Sequence, residues 1–112
     1  MRSRNTRLSV PGEMMSGLHV YIVSYDISDQ KRLYTVHKTI KGYGDPLHYS
    51  VFRCHLSSRG KVELIAALTA IIKHDEDRVM IIHLGPLHGE ADRRIEYLGV
   101  HPEVSDQSAI II

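Results

Sequence analysis

The sequence predicts an α+β fold in which an antiparallel sheet carries both helices on one face. Three observations predict it. Extended segments rich in β-branched and aromatic residues recur through the chain. Two segments between them carry apolar residues at helical spacing. Gly, Pro and acidic clusters separate the two kinds. The order is strand, helix, extended segment, helix, strand and tail. A chain of 112 residues holds one domain of ordinary size.

Residues 18–25 (LHVYIVSY) form the first strand, with neither Gly nor Pro inside. One face carries Leu18, Val20, Ile22 and Ser24, the other His19, Tyr21, Val23 and Tyr25. Neither face is polar, so both are expected to be covered: one by helices, the other by a partner subunit. Tyr21, Val23 and Tyr25 read as the interface side. Ser28 is the expected N-cap of the first helix, with Asp29 in its first turn. Leu33, Val36 and Ile40 form its apolar stripe, Tyr43 extends it, and Gly42 and Gly44 stop it. Asp45-Pro46 reads as a turn.

Residues 47–56 (LHYSVFRCHL) are extended, as one long strand or as two short ones joined by a bend near Ser50. With a hairpin there, the order becomes the ferredoxin-like β-α-β-β-α-β sandwich. Ser57 or Ser58 caps a second helix with residues 61–73 as its body. Val62, Ile65, Ala66, Thr69 and Ile72 make one stripe, which Leu64, Leu68 and Ile71 widen. Asp75-Glu76-Asp77 reads as a solvated charged turn. Residues 78–84 (RVMIIHL) are the last main strand, ended by Gly85-Pro86, and residues 90–98 a short helix or 3₁₀ turn. The division is a flexible basic leader at 1–17, the folded domain at 18–100, and a linker with an additional C-terminal edge strand at 101–112. The last four residues (AIII) would be a liability if exposed, so they are expected on a sheet edge, in this subunit or its partner. Small size and two apolar sheet faces predict a sheet-to-sheet homodimer. Met14 or Met15 is an alternative biological start.

Lys and Arg total 14 against 13 Asp and Glu, a formal net charge of +1. An acidic polymer must therefore be held by local basic patches. Cys54 is alone, which excludes an intrachain disulfide and a Cys-x-x-Cys site and points to a cytoplasmic protein. No run reaches 18 apolar residues, so no transmembrane helix is predicted. Eight histidines are scattered with no HExxH or Cys/His ligand spacing.

Asp26 is the sharpest candidate for chemistry. It stands where an apolar strand ends, on a rigid element near water; a turn or helix-start aspartate is the structural alternative. One Asp cannot hold Mg²⁺ firmly, because that ion takes octahedral oxygen ligands, but two copies across a dimer axis could. Such an ion would activate water and neutralise charge on a phosphodiester. Ser50 reads as a phosphate or metal-water contact, or as a serine satisfying a bend; Phe52 and Tyr25 also read as packed residues. Lys31, Arg32, Arg53, Arg59 and Arg78 are candidates for a nucleic-acid-binding band, or a scatter of surface charge.

At VSYDISDQKR the chain resembles the small CRISPR-associated endoribonuclease family, the non-integrase subunit of the spacer-acquisition machinery. Four features match in order: the strand ending YDISD with KR after it, KGYG leading to HYSVF, a helix followed by DEDRVMIIHLG, and the late RRIEYLG. The resemblance spans 18–99. It implies a ferredoxin-like homodimer with Asp26 as metal-binding and catalytic residue and, as further catalytic residues, Tyr25, the family's strand-end tyrosine, and Ser50 and Phe52 of its SVF segment. It implies a nuclease using Mg²⁺ (or Mn²⁺) on single-stranded RNA or double-stranded DNA. The alternative it carries is a non-catalytic DNA-binding adaptor bridging integrase dimers. His48 stands where relatives often have Gln, and Arg53 where many have an acidic residue.

Overall fold

The computed structural model describes residues 17–102. The leader, apart from Gly17, and the expected edge strand at 109–112 lie outside the described residues. Strand β1 is His19–Asp26, helix α1 Gln30–Lys41, strand β2 Gly44–His48, strand β3 Val51–Leu56, helix α2 Ser58–Ile71 and strand β4 Arg78–Pro86. A 3₁₀ turn follows at Ala91–Arg94. The sheet order is β2-β3-β1-β4. β1 lies at the centre, antiparallel to β3 (Val23 opposite Phe52) and to β4 (Val23 opposite Ile81). This is the α+β, ferredoxin-like arrangement, with Tyr49-Ser50 as the turn that splits the 47–56 segment into two strands.

Alternation along the strands decides which side faces the helices. Tyr21, Val23 and Tyr25 of β1 are buried with Phe52, Cys54 and Leu56 of β3, against Val36 and Ile40 of α1 and Leu64 and Leu68 of α2. The face expected to meet a partner is thus the core face. The sequence could not order the two sides, because both are apolar. On α2 the buried line is Leu64 and Leu68, with Ile71 packed against the core. Val62 and Ile65 of the other expected stripe are exposed. Burial also pushes the Cys54 thiol up to about 12, so it is no nucleophile at neutral pH.

Local chemistry shifts several boundaries. Asp29, not Ser28, is the N-cap of α1, its carboxylate accepting from the Arg32 amide at 3.0 Å. Ser57 caps α2 by accepting from the Gly60 amide, so that helix starts three residues before the expected body. Asp45-Pro46 is not a turn but part of β2. That strand is an edge, where a proline's missing N–H is tolerated. β2 hugs β3 closely: a Cβ on Gly44 would stand 2.3 Å from the Arg53 carbonyl oxygen and 2.6 Å from the Cys54 sulfur. Gly85 and Pro86 do not follow β4 but are its last two residues. The strand runs through them, with a register shift between Val20 and Tyr21 of β1.

The face away from the helices is only partly covered. Val20, Leu87 and Ala91 form a small second cluster where the 3₁₀ turn folds over one end. Beyond it Met80 is 54% and Ile82 41% exposed, beside the half-buried Ile22 and Val51. These residues, rather than Tyr21 and its row, are the apolar sheet surface open to a partner.

Candidate functional site

Asp26 closes β1 with its carboxylate 79% exposed. Its cross-strand partner is Arg78, the first residue of β4, equally open and 4.0 Å away through Nε. An acid and a base therefore stand side by side at one end of the sheet, on rigid strands and in water.

Tyr25 fixes the strand end from beneath. Its hydroxyl has one proton, and the Tyr49 carbonyl oxygen can only accept, at 3.1 Å. The second contact, 2.8 Å to His37 Nδ1, is then accepted from the ring N–H, which sets the tautomer. Burial raises the Tyr25 pKa, so the phenol stays neutral. Its backbone amide donates to the Ser50 carbonyl at 3.1 Å. Phe52 lies below, 6.3 Å from the Tyr25 ring and 5.2 Å from the His37 ring. The structure thus brings Tyr25, Ser50 and Phe52 together behind Asp26. It also corrects one expectation. Phe52 is completely buried and cannot touch a substrate, so its part is to position Tyr25 and the 49–50 turn.

The five candidate cations do not form one band. Arg59 follows β3, whose end residue Leu56 pairs with His19 at the far end of β1. Asp26 is seven residues from His19, roughly 23 Å at the rise of a strand. Arg59 is paired with Glu63 at 3.1 Å. Arg53 pairs in register with Ile22 in mid-sheet, and its guanidinium holds Asp92 at 3.1 Å. Only Lys31, Arg32 and Arg78 belong to the Asp26 end. Lys31 is exposed in the first turn of α1. Arg32 is committed to Asp77 at 2.7 Å and Glu76 at 3.1 Å.

The sequence reads Asp77 as a solvated turn residue, but the structure buries it. Its side chain is fully covered. It accepts from the Ser28 amide at 3.0 Å, the Lys73 amide at 2.8 Å and Arg32 Nε at 2.7 Å. The Arg32 guanidinium, then the two amides, hold its carboxyl well below the usual range, against the opposing effect of burial. One buried carboxylate therefore binds the start of α1 to the loop before β4, directly behind Asp26 and Arg78. Nothing in the run DED separates Asp77 from Asp75; the signal lies in its long-range partners.

Among the described residues no three His, Cys, Asp or Glu side chains gather as a metal site. Asp26 brings one exposed carboxylate, an oxygen donor of the class Mg²⁺ takes, and the rest of a shell must come from water or a second chain.

Residues 19–87 match the family of CRISPR associated protein Cas2. A CRISPR-associated endoribonuclease Cas2 of Rhodospirillum rubrum is 38% identical over 94 residues, 84% of this chain and 91% of that protein. One from Geobacter sulfurreducens is 46% identical over 68 residues, 61% of this chain and 72% of that protein. Among solved structures, a hypothetical protein from Thermus thermophilus superposes with a TM-score of 0.66 at 30% identity, covering 80% of this chain and all of that one. Streptococcus pyogenes Cas2 superposes with a TM-score of 0.60 at 31% identity, over 71% of this chain and 99% of that one.

Proposed function

Because this chain belongs to the CRISPR-associated Cas2 family, we propose that it is a CRISPR-associated endonuclease that hydrolyses phosphodiester bonds at Asp26. The observation that carries this reading is the exposed Asp26 carboxylate beside Arg78, on a strand end braced by Tyr25 and Phe52. The substrate class is single-stranded RNA or duplex DNA. Arg78 is placed to contact a phosphate oxygen, and Lys31 to add a second positive charge. Arg32 and Arg53 contribute only if they exchange their carboxylate partners for phosphate. Arg59, distant from Asp26, would touch a long substrate rather than the reacting bond.

The residues present fit Mg²⁺ or Mn²⁺ only as an ion shared between two Asp26 carboxylates, with water filling the shell. When bound there, the ion would neutralise charge on the phosphate and lower the pKa of a water. The second carboxylate comes from a homodimer. The exposed Met80 and Ile82, with Ile22 and Val51, are the surface that supports sheet-to-sheet pairing. The CRISPR integrase subunit is the proposed protein partner.

The test is cleavage of labelled single-stranded RNA and duplex DNA with and without Mg²⁺ or Mn²⁺, wild type against Asp26→Asn. Cleavage is expected from the wild type with metal and not from the variant, with fold and dimer unchanged. Equal cleavage by both would remove Asp26 from the chemistry. The Arg78 guanidinium 4.0 Å from the Asp26 carboxylate, a charge partner already in place, favours a second reading, an adaptor that holds DNA without cutting it. Salt-dependent duplex binding with no cleavage by the wild type would select it.

A further inference from the structure

The helix-facing side of the sheet carries a pair of histidines at the end opposite Asp26. His19 Nδ1 and His83 Nε2 stand 2.6 Å apart, with ring centroids 4.8 Å apart. Sixty-four residues separate them in sequence. A β-bulge makes them neighbours. His19 is opposite Pro86 in β4, and His83 lies three residues before Pro86. In a regular ladder that odd offset would put His83 on the other face of the sheet from His19. The register shift at Val20/Tyr21 inserts one residue, Leu84, and returns His83 to the same face.

The bulge is built rather than incidental. Gly85 takes φ 125°, a conformation other residues avoid. Arg94 of the 3₁₀ turn donates to the Leu84 carbonyl. The rings are held as well. His83 stacks on Tyr21 with centroids 4.9 Å apart at 24°, and Tyr21 is buried beneath it with Lys61 over its ring.

We propose that His19 and His83 form a site for a borderline divalent transition ion such as Zn²⁺, separate from the Mg²⁺ chemistry at Asp26. His19 would bind through Nδ1 and His83 through Nε2, the two nitrogens that hydrogen-bond each other near the surface, and the one proton they share would move to the other nitrogen of its ring as the ion enters. Zn–N bonds of about 2.0–2.1 Å at a tetrahedral angle place two nitrogens roughly 3.3–3.4 Å apart. The pair need open by less than 1 Å, within the reach of small ring rotations. Both donors are imidazole, which suits Zn²⁺, Ni²⁺ and Cu²⁺ and not Mg²⁺. The Lys61 ammonium nearby opposes a cation, and two protein ligands leave water to complete the shell. The site is therefore an exchangeable one rather than a structural zinc.

The experiment titrates Zn²⁺ into tag-free full-length protein, read by calorimetry and by the ¹⁵N resonances of the histidine rings. One Zn²⁺ per chain is expected, with the His19 and His83 ring signals shifting first. His19→Gln and His83→Gln should each abolish that event, with thermal melts showing the fold intact, while Asp26→Asn retains it. Ni²⁺ should compete and excess Mg²⁺ should not. Two unchanged ring signals, no saturable binding, or binding that survives His19→Gln together with His83→Gln would each overturn the assignment. If either variant unfolds, the ring signals of the wild type alone decide, since they report which histidines meet the ion.

Discussion

Phe52 offers the sharpest test of the reasoning, because the sequence marks it for catalysis and the structure places it in the core. The perturbation is Phe52→Ala. The ring is completely buried, beneath Tyr25 and against His37. Truncating a buried Phe costs about 3–5 kcal/mol through lost transfer energy and the cavity left behind. A domain of this size has only about 5–15 kcal/mol in total, so the variant should sit near the edge of folding. Each kcal/mol lowers Tm by roughly 4–8 °C for a domain of 60–100 residues, which predicts a fall of roughly 12–40 °C. Urea unfolding at 25 °C measures it directly: the midpoint should drop and the slope should not change. A companion variant, Phe52→Leu, fills most of the cavity and should fold. Its cleavage rate per folded molecule should approach that of the wild type, because the ring touches no substrate. The reasoning is refuted by a loss below about 1 kcal/mol in the alanine variant. It is equally refuted by a well-folded leucine variant without activity.

Three further outcomes follow from the geometry. Gly44→Ala drives a methyl group into the Arg53 carbonyl and the Cys54 sulfur; it should cost about 1–3 kcal/mol or more, read as a lower Tm, by separating β2 from β3. Asp77 has a depressed pKa, so its stabilisation is fully present above the ordinary carboxylate value of 3.8 and is lost as pH falls below it. Melts at pH 7 and pH 3 should show a steeper acid loss in the wild type than in Asp77→Asn, which is already weakened at pH 7. Ile82→Glu puts a charge on the open sheet face and should shift the proposed dimer to monomer in sedimentation, and a wild type that is monomeric at micromolar concentration would remove the dimer altogether.

Much of this was legible in the sequence. Period-two and helical patterns locate β1, β3, β4 and both helices but not β2, and the YDISD strand end points to Asp26. What the pattern leaves open is whichever property depends on a distant partner. Two apolar faces of β1 look alike until the helices choose one, so the pattern puts Tyr21, Val23 and Tyr25 on the partner side whereas the structure has them in the core. Pro46 looks like a turn until β2 is known to be an edge. Asp77 looks solvated until Ser28 and Arg32, 49 and 45 residues away, close over it. His19 and His83 are unremarkable in the sequence, because the single inserted residue that unites them is a property of pairing register.

The carboxylate of Asp77 also governs how this end of the molecule breathes. It accepts from backbone amides in two segments, at Ser28 and at Lys73. Neither amide can exchange its proton with solvent unless that shared acceptor lets go. The start of α1 and the loop before β4 should therefore open as one unit, although those two amides, Ser28 and Lys73, are far apart in the sequence. Hydrogen exchange at Ser28 and Lys73 should show matching opening free energies, and both should fall together in Asp77→Asn. The platform under Asp26 and Arg78 is thus released by a single concerted event, not by fraying of either loop on its own.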